Sequence, residues 1–361
     1  MKIVHVIPDL PACGAEMVVM TYLRKFKDEP DYRVSAISLS ENQHRLYECS
    51  AEKEGLDITY LGQNIHDSGL MSRICQILQL HRALKAEKPD VIHVHLAILW
   101  MVCLASIGTG VKKKFHTLHS DPEKTSYGIH LYVDRFCYKF FKVRTMALND
   151  EMAGKANLLF HLNNTLVMRN GIDLACYKYQ PREELRRKFG IQEGCFLLGH
   201  VGRFNKVKNH TKIIEVFHAL KQFHQQSKLL LVGDGEDIGK IKSMVASLQL
   251  TEDVIFTGDR NDVPAMMSMM DCFVFPSLFE GLGIVLLEAQ ASGLRCVVSD
   301  TVPEETTVSE KVVRLSLADD AKIWAKAVMG EESYATAIVK QPIEVYDINN
   351  IIKTLKGYYR A

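Results

Sequence analysis

Short β-branched runs alternate with longer amphipathic stretches along the whole chain, and the alternation breaks off and restarts near the middle. The first series of runs is 3–7, 33–38, 58–61, 91–96, 114–118, 145–148 and 166–168, with helical patterns such as 16–27, 70–87 and 129–141 between them. The second is 196–201, 229–232, 254–256, 272–275 and 296–299, with helices near 209–225, 236–248 and 284–292. Buried strands that alternate with helices form parallel sheets covered on both faces. The pattern predicts two doubly wound domains, for which 361 residues are ample. Gly171 supplies a turn signal at the join, and Pro181 fits the start of a new helix. A last helix over 346–359 carries apolar residues at Ile348, Ile351, Ile352 and Leu355.

Charge and cysteine usage narrow the classes of function. Lys and Arg number 44 against 43 Asp and Glu, so no basic field exists to collect nucleic acid. The nine cysteines are scattered, without a C-x-x-C pair, and several sit in apolar runs, which reads as a reduced, cytoplasmic chain. The opening run to Pro8 is too short for a signal peptide, and no apolar stretch approaches the roughly 18–20 residues of a membrane span.

In open parallel sheets ligands bind beyond the carboxyl ends of the strands, so the polar residues that follow strands are the ones to weigh. Two such sheets place the expected site in the cleft where those ends face each other. Gly14 opens a helix after the first strand, where free N–H groups suit a phosphate; an ordinary tight turn explains it equally. Arg203 and Lys208 follow the strand 196–201, and a guanidinium fork with an ammonium charge is what a diphosphate needs. Phe279-Glu280-Gly281-Leu282-Gly283 leads into a helix carrying Glu288, eight residues after Glu280. The glycines let backbone approach a ligand, one carboxylate suits a sugar's hydroxyls, and the other suits those of a ribose.

His93 and His95 share one face of their strand, and with His116 and His119 nearby a metal site has to be weighed. No acidic support for the rings is apparent and no Asp-x-Asp pair occurs, so no metal is expected; His119 is placed at a strand end facing the cleft. Gly233-Asp234-Gly235 follows a strand but has Ile238 at the third glycine position of the dinucleotide fingerprint, and no P-loop occurs.

Taken in order, these motifs resemble the retaining glycosyltransferases of the GT-B fold, family 4, over nearly the whole chain. The residues that carry the resemblance are 13–16, Asn170-Gly171-Ile172-Asp173, Gly202-Arg203 with Lys208, Leu231–Gly235 and the Glu280/Glu288 pair. The tail Ser299–Glu305 is similar to bacterial members that build capsular or exopolysaccharide. The resemblance implies two Rossmann-like domains: 1–175 for the acceptor, 176–342 for the nucleotide sugar, and a helix, 343–361, packing back on the first. It implies that Gly14, Arg203 and Lys208 meet the donor diphosphate. Glu280 would bind the transferred sugar with backbone from Gly281, Leu282 and Gly283, Glu288 the ribose, backbone near Arg260 the base, and His119 the sugar near its reacting carbon.

The resemblance thus implies a catalytic set of His119, Arg203, Lys208 and Glu280. It implies a nucleotide sugar as co-substrate, a UDP-sugar above others, with no metal or other cofactor, and an acceptor that would be a saccharide or a lipid-linked saccharide. The basic, aromatic stretch 127–144 suits an anionic membrane surface and hence a peripheral location, a core helix being the other reading. A GT-B sugar-nucleotide epimerase, a nicotinamide oxidoreductase and an inactive nucleotide-binding scaffold are the rival readings. Two departures stand out: Cys13 where the family has glycine, and Arg295 where proline is usual after Gly-Leu.

Overall fold

A computed structural model of the chain describes residues 1–11, 14–64, 67, 69–178, 181–330 and 338–361. Two compact units emerge, one formed by Met1–Gly171 with Asn349–Ala361, the other by Ile172–Ile348. The sequence reading placed these breaks at 175 and 342.

The first unit is built on seven parallel strands: β1 (Lys2–Ile7), β2 (Arg33–Ser38), β3 (Ile58–Tyr60), β4 (Val91–His95), β5 (Lys113–Leu118), β6 (Arg144–Ala147) and β7 (Leu166–Val167), in the order β3-β2-β1-β4-β5-β6-β7. The second holds β8 (Phe196–Val201), β9 (Ser227–Val232), β10 (Val254–Phe256), β11 (Cys272–Phe275), β12 (Arg295–Ser299) and β13 (Val312–Leu315), in the order β10-β9-β8-β11-β12-β13. All strand pairs are parallel, with β1 beside β4 and β8 beside β11 where the winding reverses. The strands are legible as unbroken apolar runs because both faces are covered. In the second sheet Leu198, Leu229, Leu231 and Val274 pack into one core, while Leu197, Leu230, Val232 and Phe273 pack into another.

The strand β13 was not anticipated: it is four residues long and Arg314 interrupts its apolar run. Arg295 at the unexpected position donates from Nε to the Ala327 carbonyl at 2.8 Å, near the end of the helix Ala321–Met329. That carbonyl also accepts the Gly330 N–H at 3.1 Å, and a cation beside the last turn of a helix suits its dipole. Cys13, expected to reshape its turn, lies outside the described residues.

The helix Ile348–Arg360 buries Ile348, Ile351, Ile352 and Leu355, the stripe read from the sequence, and Tyr359 besides. Within the first unit its Tyr359 hydroxyl lies 2.6 Å from His93 Nδ1, and Lys113 Nζ donates to the Tyr359 and Arg360 carbonyls. Lys356 pairs with Glu29 at 2.6 Å. The two segments that lead into and out of the second unit run side by side: Ile172 N donates to the Tyr346 carbonyl and Ile348 N to that of Ile172.

Candidate active site

The loops after β8 and β11 flank the reversal of winding in the second sheet, and that position makes a parallel sheet bind ligands at its carboxyl edge. The β8 loop carries Arg203 and Lys208. Its path is fixed by backbone: Gly202 N donates to the Val232 carbonyl, Phe204 N to that of Asp234, and Asp237 N to that of Phe204. These contacts explain Gly233 and Gly235. A Cβ on Gly233, at φ +131°, would stand 2.3 Å from Gly202 O, and one on Gly235 2.4 Å from Phe204 O. The pair that failed as a dinucleotide fingerprint therefore supports the loop on which Arg203 sits.

Two asparagines that sequence reasoning passed over complete the frame. Asn205 accepts the Lys208 N–H at 3.1 Å, and Asn209, in the left-handed region at φ +53°, donates from Nδ2 to the Pro276 carbonyl at 3.1 Å. Leu278 N donates to the Val207 carbonyl at 2.8 Å. Two short loops from adjacent strands are thus stitched together. A capping residue three positions before a charged one was the available signal in the first case; the second depends on the pairing of β8 with β11.

Across that seam Lys208 Nζ lies 2.7 Å from Glu280 Oε1, both side chains largely buried, and the ammonium sits 4.9 Å from the centre of the Phe275 ring. A cation and a carboxylate far apart in sequence are brought together here. Arg203 is half exposed, with Nε 3.3 Å from Glu236 Oε2. Beyond Glu280, Gly283 takes φ +73° and begins the helix Ile284–Ala291, whose first turn has no acidic side chain. Leu282 is buried.

Glu288 is on that helix and buried, not on a solvated face. Burial pushes its carboxyl up to about 7, and a hydrogen bond from Tyr177, a residue the sequence did not single out, pulls the other way. The Arg260 guanidinium is held by Asp262 through Nε at 2.7 Å and Nη2 at 2.6 Å.

In the first unit Gly14 is exposed at the start of the helix Gly14–Lys27, and a Cβ there would meet nothing within 4 Å. Packing within the described chain therefore does not demand glycine. His119 lies just beyond β5, half buried, with Nε2 2.9 Å from His95 Nδ1. Burial lowers its imidazole to about 3. His5, His93 and His95 each bring a ring nitrogen within 4.8 Å of the others, a grouping of metal-ligand type in which the sequence reading did not place His5. Both ring nitrogens of His93 are engaged, Nδ1 by Tyr359 and Nε2 by Thr117 Oγ1 at 2.7 Å.

A cavity of about 690 Å³ opens at the carboxyl ends of β1, β2 and β4, lined by Leu39, Leu96, Ile98, Trp100, Met101 and Arg73 among others. The helix Ile129–Phe140 borders it with Ile129, His130 and Val133. One face of that helix packs inward through Cys137 and Tyr138, while Ile129, Tyr132, Phe136 and Phe140 are exposed, Tyr132 at 68% and Phe140 at 64%. Of the four Arg and Lys residues in the stretch 127–144, Arg135 donates to the Leu159 carbonyl and Arg144 lies over the Phe115 ring, while Lys139 and Lys142 are exposed. No helix among the described residues is long and apolar enough to cross a membrane.

Comparison with known proteins gives this arrangement its family. Residues 13–175 match the family Glycosyltransferase Family 4, and residues 181–328 match Glycosyl transferases group 1. The chain is 29% identical over 343 residues to the protein of Bacillus subtilis (strain 168) that bears the name glycosyltransferase EpsF, covering 91% of this chain and 86% of that one. It is 23% identical to the capsular polysaccharide biosynthesis glycosyltransferase CapH of Staphylococcus aureus, over 100% and 99% of the two chains. Among solved structures, Anabaena Alr3699/HepE in complex with UDP and glucose superposes with a TM-score of 0.81 at 18% identity, over 100% of both chains. Two Rossmann-like units, each matched by one half of a bipartite enzyme family, leave one assignment: the chain belongs to the family 4, group 1 glycosyltransferases of the GT-B fold.

Proposed function

We propose that the chain moves a sugar from a nucleoside-diphosphate sugar to a saccharide or lipid-linked saccharide, with retention of anomeric configuration and without a metal, in the synthesis of capsular, extracellular or other cell-surface glycan. The observation that carries the reading is the Lys208–Glu280 pair at the winding reversal of the second sheet, with Arg203 on the same loop and Glu288 on the helix that follows. Lys208 and Arg203 take the diphosphate, Glu280 the sugar hydroxyls with backbone from Gly281, Leu282 and Gly283, Glu288 the ribose, and backbone at Arg260 the base. Gly14 and His119 serve the diphosphate and the sugar from the first unit. UDP in the HepE complex supports a uridine carrier, and the name of CapH supports a capsular product.

No nucleophile is assigned among these residues. The acceptor oxygen attacks the anomeric carbon as the bond to the diphosphate breaks, and the departing phosphate takes the acceptor's proton. The protein's part is to position both partners and to stabilise charge on the leaving group, where cations and helix N-termini act most strongly in the transition state. An acceptor joined to a lipid phosphate suits the first unit, because the apolar cavity carries Arg73 on its wall and the exposed aromatic helix with Lys139 and Lys142 adjoins it.

A panel of sugar nucleotides screened by thermal shift tests the donor. The true one raises the melting temperature in proportion to the logarithm of its concentration over its dissociation constant, with EDTA leaving both shift and turnover intact. NMR of the product's anomeric proton reads retention. Consumption of donor without any acceptor would point to the epimerase instead.

A further inference from the structure

His119 stands at the end of a line of rings. His5 Nδ1 on β1 lies 2.9 Å from His95 Nε2 on β4, and His95 Nδ1 lies 2.9 Å from His119 Nε2 beyond β5. The line exists because β1, β4 and β5 are neighbours, with His5 paired to His93 and His95 to Thr117 across the sheet. His5 and His95 are fully buried, so every nitrogen can be accounted for.

Three buried imidazoles suggest a metal, but a metal needs a bare nitrogen from each. His93 has both engaged, by Tyr359 and Thr117, and His95 has both engaged, by His5 and His119. Of the ring nitrogens of His5, His93 and His95, only His5 Nε2 has no partner. A series of occupied nitrogens ending in one bare atom is the pattern of a hydrogen-bond chain.

Desolvation keeps the rings neutral: His5 and His119 are lowered to about 3, and His95 falls well below its ordinary value. A neutral imidazole has one N–H and one lone pair. Two bonds through three such rings therefore allow two arrangements, with all protons pointing one way or all the other. In the first, His5 Nδ1–H donates to His95, His95 Nδ1–H donates to His119 Nε2, and His119 displays an Nδ1–H; the bare atom at the buried end is then a lone pair. In the second, that buried atom is an N–H without an acceptor, and His119 displays a lone pair. Buried N–H groups without acceptors are the rarer defect in proteins.

We propose that His5 and His95 are positioning residues that hold His119 in its Nδ1–H tautomer, so that it meets the transferred sugar as a hydrogen-bond donor. The second half of that statement rests on the reading of His119 as a sugar contact; the tautomer does not.

The test is nitrogen NMR of the full chain labelled with 15N in the imidazole rings, with His119 assigned by its loss in His119→Gln. The wild-type spectrum, which asks no variant to fold, should show His119 protonated on Nδ1 and bare on Nε2. Protonation on Nε2 overturns the proposal. His95→Phe and His5→Phe cut the chain at different links, and each should let His119 populate both tautomers. In each, kcat should drop by about tenfold or more with the donor KM little changed, the mark of an interaction lost in the transition state. His95→Asn, which restores a polar group at the Nδ1 position, should recover part of the rate. An unaltered His119 tautomer in folded His95→Phe also overturns the proposal. Full turnover in His119→Ala overturns the sugar contact while leaving the tautomer result standing, which separates the two failures.

Discussion

Arg203 and Lys208 are five positions apart on one loop but differ in how the protein holds them, the first half exposed and the second largely buried. The exposed pairing of Arg203 with Glu236 adds little to stability, since solvent screens it. Arg203→Ala should therefore leave the melting temperature nearly unchanged while steady-state kcat falls on the order of 10²–10³, as for loss of a comparable charge-stabilising donor. Turnover near the wild-type rate would remove Arg203 from the mechanism. Glu288 is a different kind of lever. Its carboxyl is raised from 4.5 to about 7 by burial, so it is chiefly protonated at pH 6 and ionised at pH 8. A carboxylate accepts more hydrogen bonds than the acid, and calorimetric binding of UDP should tighten several-fold between those pH values, with Glu288→Gln flat. The sign for folding is opposite. The native state holds this proton more tightly than the unfolded chain, so the contribution of Glu288 to stability is full below 4.5 and is lost as pH rises to about 7. Glu288→Gln should accordingly gain on the wild type in urea melts at pH 8 relative to pH 4.

The glycine pair after β9 shows an element working on another element. Gly233→Ala would force a Cβ against Gly202 O at φ +131°, a strain of about 1–3 kcal/mol. Equilibrium unfolding should report that loss, and kcat should fall too, because the displaced carbonyl belongs to the residue before Arg203. The aromatic helix makes its own claim at this scale: the chain should pellet with vesicles containing anionic lipid, and Phe136→Ser with Phe140→Ser should abolish pelleting without loss of fold. Strands were readable in the sequence wherever two covered faces made the run continuous, as in β8 and β11, and unreadable in β13, where Arg314 breaks it. Glu280 and Lys208 were legible as residues; their pairing was not, because it depends on β8 lying next to β11. His93 and His95 were legible as a face of one strand. That His5 joins them follows only from β1 lying against β4, a fact of winding order that spacing along the chain does not carry.

At the scale of the whole molecule, the first unit is closed by residues from the far end of the chain. Tyr359 is fully buried, and its hydroxyl reaches His93. Tyr359→Ala should cost about 3–5 kcal/mol, in the range of a large aromatic deleted from a core, with hydrogen exchange rising in β4 and β5 and not in β8 to β11. Equal loss of protection in both sheets would contradict that localisation. The same discontinuity sets an order of events during synthesis. Residues 172–348 form one continuous block of sequence, whereas the first sheet is packed against residues 349–361, which are translated after that block. The first sheet is thus completed only after the whole second unit has been made, and it is the part that a chaperone would have to shield.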